Sequence, residues 1–534
     1  MLPLTVSIAL PLGALGNDAL HEAHAADHAL VSAISALGEF RSFDGSGNNL
    51  AHPEWGAAHR PFTRWLPNDY LDGLGEPAGA GRPSARAISN AVAHQASERP
   101  CHLPVTDMLW QWGQFLDHDI AETPLDEEDL SLPIRVPLGD PWFDPLAQGG
   151  LSLPFSRSAA ELHDGVREQL NGITAWVDGS MVYGSDLERA RALRAWDGLG
   201  RLATSDGDQL PLNLLGLPNA PSAEAPNFFL AGDVRANEQV GLTAMHTLFV
   251  REHNALCEAL AQRFPGAGGE QLYQAARVLV GAQIQRITYE EFLPALLGAR
   301  ALSPYLGYDP NVDGTIANEF AVAAYRLGHT FLSNELLLEP AADGVASISL
   351  ADAFFSPSTY LDLGIESILG GLVKQRPQEL DPLLVDGVRN FLFGPPGAGG
   401  LDLAALNIQR GRDHGVPGYA ALRAMAGLEA VTSIEQIAWR QALADGLLAS
   451  YASVDEIDAW VGLLAEVPTG EALVGETLGR LLVRQFEALR DGDRFWYERS
   501  LSPAALAWVQ SQNLASVIER NTDLEVQADV FHLP

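Results

Sequence analysis

Beyond residue 100 the apolar positions recur three and four residues apart, the spacing that lines one face of a helix. This pattern predicts helices over residues 105–119, 185–196, 238–264, 270–285, 316–331, 365–373, 417–427, 434–446, 454–465 and 471–488. The two-residue alternation of a half-buried strand is confined to short stretches near 335–339 and 526–532. Residues 40–100 read differently. Asp44-Gly45-Ser46-Gly47-Asn48-Asn49, Asp72-Gly73 and Pro77-Ala78-Gly79-Ala80-Gly81 are turn formers, so an ordered wrapping segment is expected there, with its best helix at Ser84–Gln95. The chain has no internal repeat and no long low-complexity linker. The expected architecture is mainly α with very few short strands. One large domain covers 39–534, and an N-terminal segment, 1–38, reads as a weak signal or a flexible arm.

Composition narrows the partners. The 534 residues are 47% hydrophobic and 19% charged, as in a globular protein with a sizeable core. A net charge of −35 repels phosphate backbones and argues against nucleic acid. No run of about 18 apolar residues occurs, so no membrane span is expected. Lys374 is the sole lysine, as a GC-rich genome would produce. Cys101 and Cys257 are too few for a disulfide framework, and free thiols are expected. Leu2–Leu15 is moderately apolar and Ala23-His24-Ala25 loosely resembles a cleavage site. A secreted, extracellular protein is the expectation, with a cytoplasmic one as the alternative, because no basic residue precedes the apolar run. The oligomeric state is not legible.

Five segments carry candidate chemistry. In Trp112-Gly113-Gln114-Phe115-Leu116-Asp117-His118-Asp119, Gln114, Asp117 and His118 share one helix face while Asp119 turns about 100° aside. They can form a reactive pocket or simply a polar face. Thr174-Ala175-Trp176-Val177-Asp178-Gly179-Ser180 offers side-chain oxygens that suit a hard cation or a plain turn. Arg235-Ala236-Asn237-Glu238-Gln239 precedes a helical stretch with His246 and His253 seven apart; lacking a His-Glu-x-x-His pattern, these two histidines read as hydrogen-bonded helix residues. His329, in Tyr325-Arg326-Leu327-Gly328-His329-Thr330, reads alone as a core residue. Leu406-Asn407-Ile408-Gln409-Arg410-Gly411-Arg412-Asp413-His414-Gly415 holds two arginines suited to carboxylates or phosphates, or to surface ion pairs. Asp126-Glu127-Glu128-Asp129 reads as a solvated loop.

Taken together and in this order, these segments resemble the animal-type haem peroxidases of the peroxidase-cyclooxygenase superfamily. The resemblance spans roughly 40–534 and includes Pro83-Ser84-Ala85-Arg86, Ile287-Thr288-Tyr289 and Asp491-Gly492-Asp493-Arg494-Phe495-Trp496. It implies a single haem peroxidase domain that reduces hydrogen peroxide and oxidises small anionic or phenolic donors through oxoferryl intermediates, as part of a response to oxidative stress. By this resemblance His118 is the distal histidine, exchanging protons with peroxide. Gln114 positions water or a halide, and Arg235 polarises the breaking O–O bond. His329 matches the proximal iron ligand, and Asn407 its partner, whose carbonyl would accept the Nδ1 proton. Arg326 and Arg410 match the arginines that hold haem propionates, with Thr123 retained nearby. Asp117 and Glu238 match carboxylates that become ester-linked to haem b. Asp119, Thr174, Trp176 (through its carbonyl), Asp178 and Ser180 match a Ca2+ site.

Departures sharpen the expectation. Gln239 stands where the chlorinating relative has a methionine linked to haem, so bromide, iodide and thiocyanate are favoured over chloride. Ala121 replaces an aspartate that contacts a propionate. A fatty-acid dioxygenase is the runner-up, but such enzymes carry a radical tyrosine three residues before the proximal histidine, and here that position is Arg326, with Tyr325 four before. A non-catalytic matrix or binding protein of the same fold is the third reading, against which the retained pocket residues weigh.

Overall fold

The computed structural model describes residues 17–126, 130–222 and 226–534, with side chains from residue 22. Leu2–Leu15 and Glu127–Asp129 of the acidic run lie outside the described residues.

The helical periodicity is realised around a continuous apolar core. The Met108–Ile120 helix buries Trp112 and Phe115 completely. Their rings meet Phe249 of the long Val240–Arg263 helix at 5.9 and 5.1 Å. That helix packs on Gly269–Ile287, which runs on into a π-helical turn, Thr288–Phe292. Trp112 Nε1 donates to Thr288 Oγ1 at 3.2 Å, tying the first helix to this widened turn, a geometry common at functional sites.

Several elements differ from the sequence reading. The span 316–331 is not one helix. It is Asn318–Val322 followed by a 3-10 segment, Ala324–Thr330, broken by non-helical angles at Arg326. Residues 434–446 and 454–465 divide likewise, each into a 3-10 turn and an α-helix. The 335–339 alternation becomes the strand Glu335–Ala342, paired with Val345–Ser349. The 526–532 alternation forms no strand. There, Val530 and Phe531 plug the core, Phe531 edge-on to Trp112 at 6.4 Å, and His532 makes one bridge to Val105. A hairpin over Ala160–His163 and Val166–Asn171, with Arg60–Pro61 added at its edge, was not anticipated. Both hairpins turn on Asp-Gly, Asp164-Gly165 and Asp343-Gly344, with positive φ at all four residues, the conformation that two-residue hairpin loops require. Residues 17–34, expected within a leading arm, form a helix that includes Ala23-His24-Ala25 and buries Leu30 and Ile34.

Buried ion pairs fasten the frame that carries the site. Ser84 caps Ala85–Val92 by accepting from Ala87 N at 3.2 Å. Within that helix Arg86 is wholly buried between Asp140 (2.7 Å) and Asp402 (2.6 Å). Asp402 also caps the Leu403–Asp413 helix through Ala405 N. At the other end of the chain, Asp493 binds Arg41, Asn48 and Gln285, which holds the 40–50 wrapping segment against the core.

Candidate active site

A cavity of about 400 Å³ gathers most of the expected residues. The Met108–Ile120 helix contributes Gln114, Asp117 and His118, and Thr123 follows just beyond it. Arg235, Glu238 and Gln239 come from the turn that enters the Val240–Arg263 helix. Arg326 and His329 come from the 3-10 segment, and Arg410 from the Leu403–Asp413 helix. Phe155, Phe292, Phe331, Leu350 and Leu406 supply apolar wall. Asn407 stands behind His329, its side-chain amide 2.9 Å from Nδ1.

On one side, Gln114 Nε2 donates to Glu238 Oε2 at 3.2 Å, and Gln239 Nε2 donates to Gln114 Oε1 at 3.0 Å. His118 Nε2 lies 3.9 Å from Glu238 Oε2, and its Nδ1 lies 3.4 Å from Asp233 Oδ1. Asp233 also receives Arg235 Nε at 2.9 Å and Nη2 at 2.8 Å, so one buried carboxylate fixes the guanidinium and stands beside the imidazole, whose Nδ1 makes no hydrogen bond among the described residues. The sequence reading missed Asp233. The signal was Gly232-Asp233-Val234-Arg235, an acid two residues before the arginine in a non-helical turn. Arg235 continues to Asp117 Oδ2 at 3.4 Å and to the Ala121 carbonyl at 3.0 Å.

On the other side, the carbonyl expected to face His329 points elsewhere. Asn407 Oδ1 accepts from Arg326 Nη1 at 3.2 Å, which leaves Nδ2 nearest His329 Nδ1. The cause is the guanidinium, which has no carboxylate partner among the described residues and takes the amide oxygen and the Ala321 carbonyl instead. His329 Nε2 has no hydrogen-bond partner among the described residues. A free imidazole nitrogen and a guanidinium without a carboxylate partner, both lining one cavity, are what a haem iron and a propionate would engage. The residues present fit haem.

The animal haem peroxidase family model matches residues 40–531. The chain belongs to the animal haem peroxidase family. It is similar to peroxinectin A of Dictyostelium discoideum, 35% identical over 529 residues that cover 94% of this chain and 97% of that protein. The solved structure of peroxidase A from Dictyostelium discoideum superposes with a TM-score of 0.87 at 34% identity, covering 93% of this chain and all of that one. A rice fatty acid alpha-dioxygenase shares the fold with a TM-score of 0.78 at 21% identity, covering 96% of this chain and 92% of that one. As an animal haem peroxidase the chain is a haem-dependent oxidoreductase acting on hydrogen peroxide and a donor. Among the described residues no helix is long and apolar enough to cross a membrane.

Burial sets the electrostatics of this peroxidase pocket. It holds the His118 imidazole far below its ordinary pKa, with Arg235 adding to the effect, and lowers His329 to about 3. Both rings are therefore neutral near pH 7, able to accept a proton or a metal. Asp117 is raised to about 6 and Glu238 to about 7 by burial, against the pull of Arg235. Although deep in the protein, they turn 34% and 28% of their side-chain surface toward the cavity. Burial also lowers Arg326 to about 10, with Arg410 adding repulsion. Arg410 is held by Ser156 O, Ser158 Oγ and Asp413 over the Phe155 ring. Arg412, read as a possible surface ion pair, is instead buried on Asp458.

Below the His118 helix, the oxygen cluster converges. Asp119 Oδ1 receives Ser180 Oγ at 2.9 Å, and its Oδ2 receives the N–H groups of Asp178 and Gly179. Thr174 Oγ1 donates to Asp178 Oδ2 at 3.1 Å. Trp176 meets the cluster through its N–H on Thr174 Oγ1. Neither carboxylate forms an ion pair among the described residues. Burial raises Asp119 to about 8, with Asp178 beside it, and Asp178 to about 6. Two buried, unpaired carboxylates among oxygen donors fit a hard cation.

The two helix histidines part ways. His253 is satisfied by Tyr183 OH at 2.9 Å and Gly200 O at 3.0 Å. His246 is fully buried, its ring centre 6.5 Å from that of His118, and it meets the Met181 backbone rather than a side chain. Cys101 and Cys257 are free and buried.

Proposed function

We propose that this peroxidase accepts hydrogen peroxide between His118, Gln114 and Arg235 and oxidises small anionic or phenolic donors, with bromide, iodide and thiocyanate favoured over chloride. The observation that carries this reading is the shared cavity, to which one helix brings a neutral imidazole beside a fixed guanidinium and another element brings His329 backed by an amide.

Haem would be held by His329 through Nε2 and by Arg326 and Arg410 through its propionates; when bound, it supplies the iron that polarises peroxide and the electrons that reduce it. The chain does the rest. His118 Nε2 takes a proton from peroxide and returns it to the departing oxygen. Asp233 favours the tautomer with the proton on Nδ1, which leaves Nε2 basic. Arg235 stabilises the negative charge that develops as the O–O bond breaks. Gln114, fixed by Glu238 and Gln239, orients the incoming water or donor. With Arg326 engaged by a propionate, Asn407 Oδ1 would be free to turn and accept the Nδ1 proton of His329.

Asp117 and Glu238 are proposed as the ester-forming carboxylates. Asp119, Thr174, Trp176 through its carbonyl, Asp178 and Ser180 are proposed as the Ca2+ ligands, with Thr123 bordering the haem edge. A role in the response to oxidative stress, outside the cell, is proposed with them. The test is direct. The chain is reconstituted with haem, and peroxide is added with each halide or thiocyanate while the Soret band is followed. No turnover with any donor overturns the reading, and mass spectrometry of the same sample reports the ester links. Fatty-acid oxygenation would instead need a phenol in register with His329. Arg326 holds that register, and Tyr325 is stacked on Phe320 at 4.8 Å; oxygen uptake with linoleate and no peroxide would reverse this preference.

A further inference from the structure

Away from the cavity, one cluster among the described residues brings three kinds of metal-ligating side chain together. Cys101, His102 and Glu379 offer a sulfur, an imidazole nitrogen and a carboxylate oxygen within 4.8 Å of one another. Two segments far apart in sequence build it. Cys101 N donates to Pro377 O at 2.8 Å, Glu379 N donates to Arg99 O at 2.7 Å, and Pro100 pairs with Gln378 as an antiparallel bridge. This short ladder sets Cys101 and Glu379 in place before any ligand arrives. The carboxylate is steadied further, its Oε2 accepting from His102 N at 3.2 Å and its Oε1 lying 2.6 Å from His102 Nδ1.

Burial across the cluster is graded. Cys101 is sealed, the Glu379 side chain is 8% exposed, and the His102 side chain is 52% exposed. Glu379 has no arginine or lysine partner in an ion pair among the described residues; its partner is His102. The neighbouring Arg376 is engaged on the Cys101 carbonyl at 3.1 Å.

We propose that these three side chains bind a borderline divalent cation of the zinc class, with water in the fourth position. The donor set selects the ion. Thiolate and imidazole suit zinc-like metals, whereas calcium and magnesium take oxygen donors. The charges balance, because a thiolate and a carboxylate supply two negative charges to a divalent ion while the imidazole stays neutral. The thiol proton leaves to solvent as the metal–sulfur bond forms. Neighbouring donors around tetrahedral zinc lie roughly 3.5 Å apart, so separations of up to 4.8 Å must close by about 1 Å while the 2.6 Å His102–Glu379 pair opens by about as much to admit the ion. The half-exposed His102 ring can make that adjustment, and its open side admits the ion and the fourth ligand. Bound there, the ion would staple the segment leading into the Met108–Ile120 helix to the 374–384 loop.

The test uses the full chain, loaded with haem and saturated with calcium. Zinc binding is measured by equilibrium dialysis with elemental analysis, and Tm with and without zinc is read alongside. Wild type is expected to bind one zinc that His102→Asn, Glu379→Gln and Cys101→Ser each weaken by at least about tenfold, and zinc should raise Tm in wild type alone. His102→Asn changes an exposed ring, so the test stands even if Cys101→Ser fails to fold. Wild-type zinc affinity in His102→Asn, or no bound zinc in wild type, overturns the proposal.

Discussion

Replacing Asp233 with Asn tests the idea that one carboxylate aligns both groups that meet peroxide. The side chain keeps its shape and loses its charge. Asp233 now accepts from Arg235 N at 2.8 Å, Nε at 2.9 Å and Nη2 at 2.8 Å, and faces His118 Nδ1 at 3.4 Å. Oδ1 takes the Arg235 N and Nε donors and faces the imidazole, while Oδ2 takes Nη2, so the NH2 of asparagine meets an Arg235 N–H in either orientation. At least one charge-assisted hydrogen bond is lost, a loss of about 1.5–3 kcal/mol. If that energy is felt fully where the O–O bond breaks, the reaction with peroxide slows roughly 10- to 100-fold. Stopped-flow decay of the Soret band against peroxide concentration measures the second-order rate constant. Soret absorbance per chain and Tm check that the variant is haem-replete and folded. A folded, haem-replete variant reacting within about threefold of wild type refutes the alignment role.

Three other outcomes are expected. His329→Ala should fail to retain haem; a normal Soret band in that variant contradicts the ligand assignment. His118→Ala should keep haem but react with peroxide about 10²- to 10⁴-fold more slowly, and unchanged stopped-flow kinetics would remove its role. His253, pushed by burial to about 4, stays neutral in the folded chain while the unfolded chain protonates near its ordinary value. Its contribution is therefore complete above about pH 6.5 and lost as pH falls toward 4, about 3 kcal/mol in all; urea midpoints of wild type and His253→Gln at pH 7 and 4.5 measure it, and equal acid losses count against it.

Much of the fold was legible because long helices repeat their apolar face many times. Met108–Ile120, Val240–Arg263 and Gly269–Ile287 all lie where that period places them. The failures are short or polar. The Leu403–Asp413 helix escaped notice because Asn407, Gln409, Arg410 and Arg412 interrupt its apolar pattern, and of these Asn407, Arg410 and Arg412 are the ones the pocket and its buried pairs use. Val530 and Phe531 alternate like a strand because they dock into the core, with no ladder beside them. The clustering of His118, Gln114, Arg235 and His329 followed from family resemblance rather than from spacing. Asp233 escaped both routes, since its importance rests on two partners that only folding assembles. The orientation of the Asn407 amide was likewise beyond reach, because it depends on where a neighbouring guanidinium finds an acceptor.

The 3-10 stretch Ala324–Thr330 has a consequence for how this scaffold diversifies. The backbone breaks from helical angles at Arg326, and residues 326 and 329 both line the cavity. Whatever occupies 326 becomes the neighbour of the His329 imidazole. An arginine there commits the pocket to anchoring an anion, whereas a phenol would place an oxidisable ring at the same spot. One side chain thus sets the charge beside His329 without any of the surrounding helices having to move.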